Sequence, residues 1–210
     1  MFRFTAFVAL VCAASTLAAP MPSPEGASTQ IVGTVKCAAK PSYSGQLYLD
    51  QTSGEVDSIT LSQGNVRYLI GNKNNGQVAP KFDFYDCPST FMGTKGRQSA
   101  DSHYGQIRSG DKCVRIVEKA DYQGENTPKK AFELSTCSYS EDSSQLFQTF
   151  ASSANGHYIG FVPGQVDSGK NEYDYTVQPG SSADPALQRI VVGGAVAKGQ
   201  PTGHFSIGRP

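Results

Sequence analysis

Few windows of this chain place apolar residues at i, i+3, i+4 and i+7, the spacing that builds one face of a helix. Thirteen short runs rich in Val, Ile, Tyr and Phe stand there instead, each closed by Gly, Pro, Asn, Asp or Ser. They are IVGTVKC (31–37), GQLYLD (45–50), SITLS (58–62), VRYLIG (66–71), KFDFYDC (81–87), YGQIRS (104–109), KCVRIV (112–117), AFELSTC (131–137), QLFQTF (145–150), HYIGFV (157–162), YDYTVQ (173–178), LQRIVV (187–192) and HFSIG (204–208). Strand-length runs between turn residues predict an all-β sandwich or barrel. The connectors carry turn chemistry: NKNNG (72–76) contains Asn-Gly, and SGD (109–111) is a tight reversal.

The runs recur in order. VRYLIG, KCVRIV and HYIGFV start at 66, 112 and 157, and KFDFYDC, AFELSTC and EYDYTVQ start at 81, 131 and 172. A period in this range marks a repeat architecture. A propeller takes four or more blades. Three copies of about four strands each predict a closed three-fold barrel, a β-trefoil, over residues 31–210.

The first residues, MFRFTAFVALVCAASTLAAP, have the three parts of a secretory signal: Arg3, an apolar stretch from Phe4 to Leu17, and the small-x-small Thr16-Leu17-Ala18. The stretch falls short of the ~20 apolar residues that span a bilayer. Residues 1–18 are therefore expected to be a signal peptide, and the Pro- and Ser-rich residues 19–30 a flexible leader. The mature protein would be secreted and extracellular. It would keep 17 Lys and Arg against 18 Asp and Glu. That balance argues against electrostatic capture of nucleic acid or of an acidic membrane. Of five cysteines, Cys37, Cys87, Cys113 and Cys137 would remain, an even set suited to an oxidising compartment. No Cys-x-x-Cys or His cluster suggests a metal, and no phosphate-loop or dinucleotide motif suggests a cofactor.

Three segments carry a family resemblance. YGQIRSGDKCVRIV (104–117), AFELSTC (131–137) and SSQLFQTF (143–150) together resemble the ricin B-type (R-type lectin) β-trefoil repeat, with Gln145-Leu146-Phe147 where the family has Gln-x-Trp. The likeness is good over 104–150, weak over 66–87 and 157–192, and almost absent over 20–60. It implies a Cys113–Cys137 disulfide in the middle lobe. Strand alternation agrees: Val114 and Ile116 share one face of their strand and Cys113 the other, while Phe132 and Leu134 share one face of theirs and Cys137 the other. The sulfurs are then expected to meet on the outer side of an antiparallel pair. Cys37 would pair with Cys87, although four cysteines allow three connectivities and sequence alone does not choose.

The resemblance implies galactose-type sites, one per active lobe. In the middle lobe the family's Asp, aromatic platform and Asn positions hold Arg115, Ser135 and Ser144, and only Gln145 survives. The usual site is thus lost there. The first lobe offers Tyr85 as a stacking platform with Asp83 or Asp86 as acceptors, and the third offers Tyr173 or Tyr175. No Trp is present, which weakens any sugar platform.

Catalysis is not expected. His103, His157 and His204 are far apart in sequence and outside recognised catalytic motifs, and Glu141-Asp142 reads as a solvated turn. The expected function is carbohydrate binding by a secreted, lectin-like monomer. The alternative is a protein-interaction trefoil, such as a protease inhibitor, acting on an extracellular protein through the long loops 88–103, 119–130 and 163–172.

Overall fold

The computed structural model describes residues 33–51, 54, 56–72, 79–117, 130–153, 156, 158–162, 166, 176–179, 190–193 and 203–208. All belong to one compact unit, Val32–Pro210; a second unit, Met1–Ile31, lies outside the described residues. So does the expected signal and leader.

The described secondary structure is all β, apart from one short 3-10 helix at Ser143–Phe147. The strands are β1 (Tyr43–Gln51), β2 (Val56–Leu61), β3 (Arg67–Asn72), β4 (Lys81–Asp86), β5 (Ser102–Ser109), β6 (Lys112–Ile116), β7 (Lys130–Thr136), β8 (Phe150–Ser153), β9 (Ile159–Phe161), β10 (Thr176–Pro179), β11 (Ile190–Gly193) and β12 (Gly203–Ile207). Eleven of the thirteen apolar runs supply eleven of them, and β8 begins at the last residue of QLFQTF.

Every strand pairing is antiparallel. Six strands pair in a closed circuit: β1 with β4, β4 with β5, β5 with β8, β8 with β9, β9 with β12, and β12 back to β1. The remaining strands form the pairs β2–β3, β6–β7 and β10–β11. Strand β7 also pairs with β3 and with β11, which gathers the three pairs together. Closing the circuit leaves its six strands no free edge to recruit another chain.

The core follows from alternation. Phe82 and Phe84 point inward from β4, while Lys81, Asp83 and Tyr85 lie on its other side. Leu47, Leu49, Ile59, Leu69, Ile107, Val114 and Ile159 meet them inside, all fully buried. Phe132, Phe150, Phe161 and Phe205 close the centre, with Phe132 edge-on to Phe205 at 5.2 Å between centroids and Phe150 edge-on to Phe161 at 5.6 Å. Such contacts add about 0.5–1.5 kcal/mol each beyond area burial. Gly105 lets β5 come close to β4: a Cβ there would stand 1.8 Å from the Tyr85 carbonyl oxygen.

Both expected disulfides are present, Cys37–Cys87 and Cys113–Cys137. Loops of 50 and 24 residues closed this way stabilise by roughly 3–4 kcal/mol each on the chain-entropy account.

Three local expectations need correction. Residues 31–37 do not make a strand within the described part. Thr34 forms only an isolated bridge with Ser140, and Ala38 N–H donates to the Asp86 carbonyl. Both long edges of β4 are already occupied by β1 and β5, and the segment instead meets the turn after Cys137, with Val35 N–H donating to the Tyr139 carbonyl. QLFQTF is not a strand along its length either. Asp142 accepts the Ser144 N–H at 2.8 Å and starts the 3-10 helix, and only from Phe150 does the chain extend. Finally, Cys113 itself does not stand at an outer surface, although Arg115 on the same face of β6 is exposed. Cys113 is fully buried, flanked by β5 and β7, with its sulfur 3.4 Å from Gln106 Oε1.

Candidate functional site

The first-lobe residues Asp83, Tyr85 and Asp86 all sit on β4, and each is already engaged. The register sets Asp83 opposite Arg108 and Tyr85 opposite Gln106 on β5. Arg108 folds back over Tyr85, with its guanidinium carbon 4.3 Å from the ring centroid, and it also faces the Tyr139 ring at 5.4 Å. Arg108 Nη2 donates to Gln106 Oε1 at 2.9 Å, while its Nε is buried without a hydrogen-bond partner. The platform expected to be open thus carries a guanidinium on one face. Asp83 accepts from the Ser44 hydroxyl and lies 3.3 Å from Lys81 Nζ. Asp86, at the strand's end, accepts from Ser42 Oγ at 2.8 Å and contacts His103 Nδ1 at 3.1 Å.

Gln145 is 1% exposed, and its amide nitrogen donates to the carbonyls of Ser138 and Ser140. The amides of Gln106 and Gln148 also reach the Ser138 carbonyl. Gln145 therefore anchors the turn after the Cys113–Cys137 bridge. Tyr173, Tyr175 and His157 lie outside the described residues.

The loop after Cys87 is braced. Glu141 accepts from Ser89 Oγ at 2.6 Å, from Phe91 N–H at 2.9 Å and from Thr90 N–H at 3.0 Å. Burial alone would raise the Glu141 pKa, but these hydrogen bonds, with Lys95 nearby, outweigh it and hold the carboxyl below its ordinary 4.5. Met92 plugs a small second core with Tyr104, Ala151, Val162 and Val166. At the tip, Arg97 N–H donates to the Thr94 carbonyl, closing a turn around exposed Lys95 and Gly96.

His204 stacks on Tyr158 at 4.4 Å, with Nε2 3.7 Å from Asp50 Oδ2. Ser206 Oγ donates to the same carboxylate at 2.7 Å. A nucleophilic triad needs the imidazole between hydroxyl and carboxylate. Here the carboxylate is in the middle, and Ser206 is wholly buried. Among the described residues, no group of three His, Cys, Asp or Glu could hold a metal ion, and no helix is long and apolar enough to cross a membrane.

One surface feature remains unsatisfied. A polar cleft of about 350 Å³ opens between the tip of β2–β3 and the β5–β6 turn, lined by Asn65, Arg67, Ser109, Asp111, Lys112 and Leu134. Pairing of β3 with β7 sets Arg67 opposite Leu134, and Gly110, at φ +61°, makes the turn that presents Asp111 and Lys112. Sequence reasoning found the Ser-Gly-Asp turn but not the cleft, because Arg67 reaches it through a pairing between strands far apart in the chain.

No family model, curated protein or solved structure matches the chain.

Proposed function

We propose that the protein is an exported β-trefoil of the ricin B type that binds saccharides without altering them chemically. Support for the trefoil comes from strand order. Each of the pairs β2–β3, β6–β7 and β10–β11 falls in sequence between two strands of the closed circuit, so a four-strand unit recurs three times. The two disulfides are consistent with an extracellular protein.

The observation that carries the binding reading is the cleft. Its volume suits a small polar ligand. Saccharides present hydroxyls that both donate and accept, plus an apolar ring face. The cleft offers donors in Asn65, Arg67, Ser109 and Lys112, an acceptor in Asp111 and an apolar wall in Leu134. This reading moves the site away from Tyr85, whose ring is held by Arg108.

A glycan array probed with the full mature chain tests the reading. Signals that free sugar competes away are expected. An array with no saccharide signal, alongside capture of an extracellular protein, would sink it in favour of the protein-interaction alternative. The bracing of the loop after Cys87 favours that alternative, since a preordered loop loses little entropy on docking. The closed Thr94–Arg97 turn disfavours insertion of that loop into a protease, because protease subsites take extended chain; the loops 119–130 and 163–172 lie almost wholly outside the described residues.

A further inference from the structure

The charge of the cleft is lopsided. Arg67 and Lys112 face a single carboxylate, Asp111. Lys112 Nζ lies 3.8 Å from Asp111 Oδ2, and the two side chains are 46% and 88% exposed. A pair this long and this wet is worth little, so it leaves the ammonium available to a ligand. The Arg67 guanidinium has no hydrogen bond or ion pair among the described residues. A guanidinium offers a planar fork of donors that fits two oxygens of one anion.

These groups stand on fixed supports. The tip before Arg67 is closed by Ser62 N–H to the Tyr68 carbonyl and by Tyr68 N–H to Ser62 Oγ, both at 2.9 Å. The Asp111 carbonyl lies 3.8 Å from Cys137 Sγ, so the opposite wall is built beside a disulfide. Groups held before the ligand arrives lose less freedom on binding it. The whole chain has a formal net charge of zero. Long-range attraction of polyanions is therefore weak, and any preference for acidic ligands has to arise locally in the cleft.

Resting on the saccharide reading above, we infer that the cleft selects saccharides bearing an anionic substituent, a carboxylate or a sulfate. Arg67 receives the anion and Lys112 adds a second positive charge. Asn65, Ser109 and Asp111 meet ring hydroxyls, and Leu134 meets the apolar ring face.

Calorimetry on the full mature chain tests this with three probes of equal length: galacturonate oligomers, neutral galactose oligomers and sulfated galactose oligomers. At low salt, at least one acidic probe is expected to bind about tenfold more tightly than the neutral one, with the gap narrowing at high salt. Arg67→Gln is expected to erase that gap and leave Tm unchanged. Whichever acidic probe loses more affinity in Arg67→Gln identifies the substituent. Equal affinity for acidic and neutral probes, or a preference that survives Arg67→Gln, overturns the inference while the saccharide reading stands. Failure of all three probes together with an empty glycan array overturns both.

Discussion

Glu141 takes the hydroxyl of Ser89, a residue 52 positions earlier, at 2.6 Å. That contact and the two N–H bonds beside it tie the loop after Cys87 to the turn that follows Cys137. The two disulfide-bearing corners of the protein are thus joined by one carboxylate.

Glu141→Gln is expected to loosen this loop and to cost about 1–2 kcal/mol, since the buried Ser89 hydroxyl and two backbone amides lose a charged acceptor. Hydrogen exchange at Phe91 and Thr90 should quicken, while the Phe205 region stays protected. Unchanged exchange at both amides would contradict the bracing role.

The same group sets a pH dependence. Its carboxyl is held below the ordinary 4.5 in the folded protein, so its stabilisation is complete above that value. It is lost as pH falls through the lower folded value. Wild-type Tm should therefore drop more steeply than that of Glu141→Gln as pH falls below the ordinary 4.5. Parallel curves would count against it.

Tyr85→Ala is expected to lower stability by about 1–3 kcal/mol through the lost stacking on Arg108, and to leave saccharide affinity unchanged. Arg108→Lys should also destabilise, because an ammonium cannot lie flat between Tyr85 and Tyr139. Urea titration measures both. Loss of saccharide binding in Tyr85→Ala at unchanged stability would restore Tyr85 as a sugar platform.

Phe205→Ala should cost about 3–5 kcal/mol, because its ring meets those of Phe132 and Phe150 in a fully buried cluster. Val56→Ala, at an exposed position on β2, should stay within about 0.5 kcal/mol. Comparable losses in the two variants would mean that the centre is not where the four phenylalanines meet.

How much of this was legible in the sequence depends on distance along the chain. Eleven strands follow from alternation and turn residues, since those signals are local. QLFQTF misled because Leu146, Phe147 and Phe150 suit a strand by residue type, whereas the Asp142 cap and the Gln145 and Gln148 amides turn the backbone. Residues 31–37 misled because strand propensity cannot report that β4 has no edge left to pair. The Cys113–Cys137 bridge was legible through the family resemblance and Cys37–Cys87 only by elimination, while the burial of Cys113 depended on its place between β5 and β7. Tyr85 was visible as an aromatic beside Cys87. That Arg108 would cover it depended on the β4–β5 register. The cleft was hidden most, because β3 and β7 pair across a long stretch of chain.

The circuit closes where β12 meets β1, with Ser206 bonded to Asp50 across 156 residues of chain. A growing polypeptide therefore emerges with its first strand waiting for its last. Until β12 is made, β1 lacks one neighbour and the nascent chain keeps an open hydrogen-bonding edge. Such delayed sealing of a pairing between distant parts of the chain makes for slow folding.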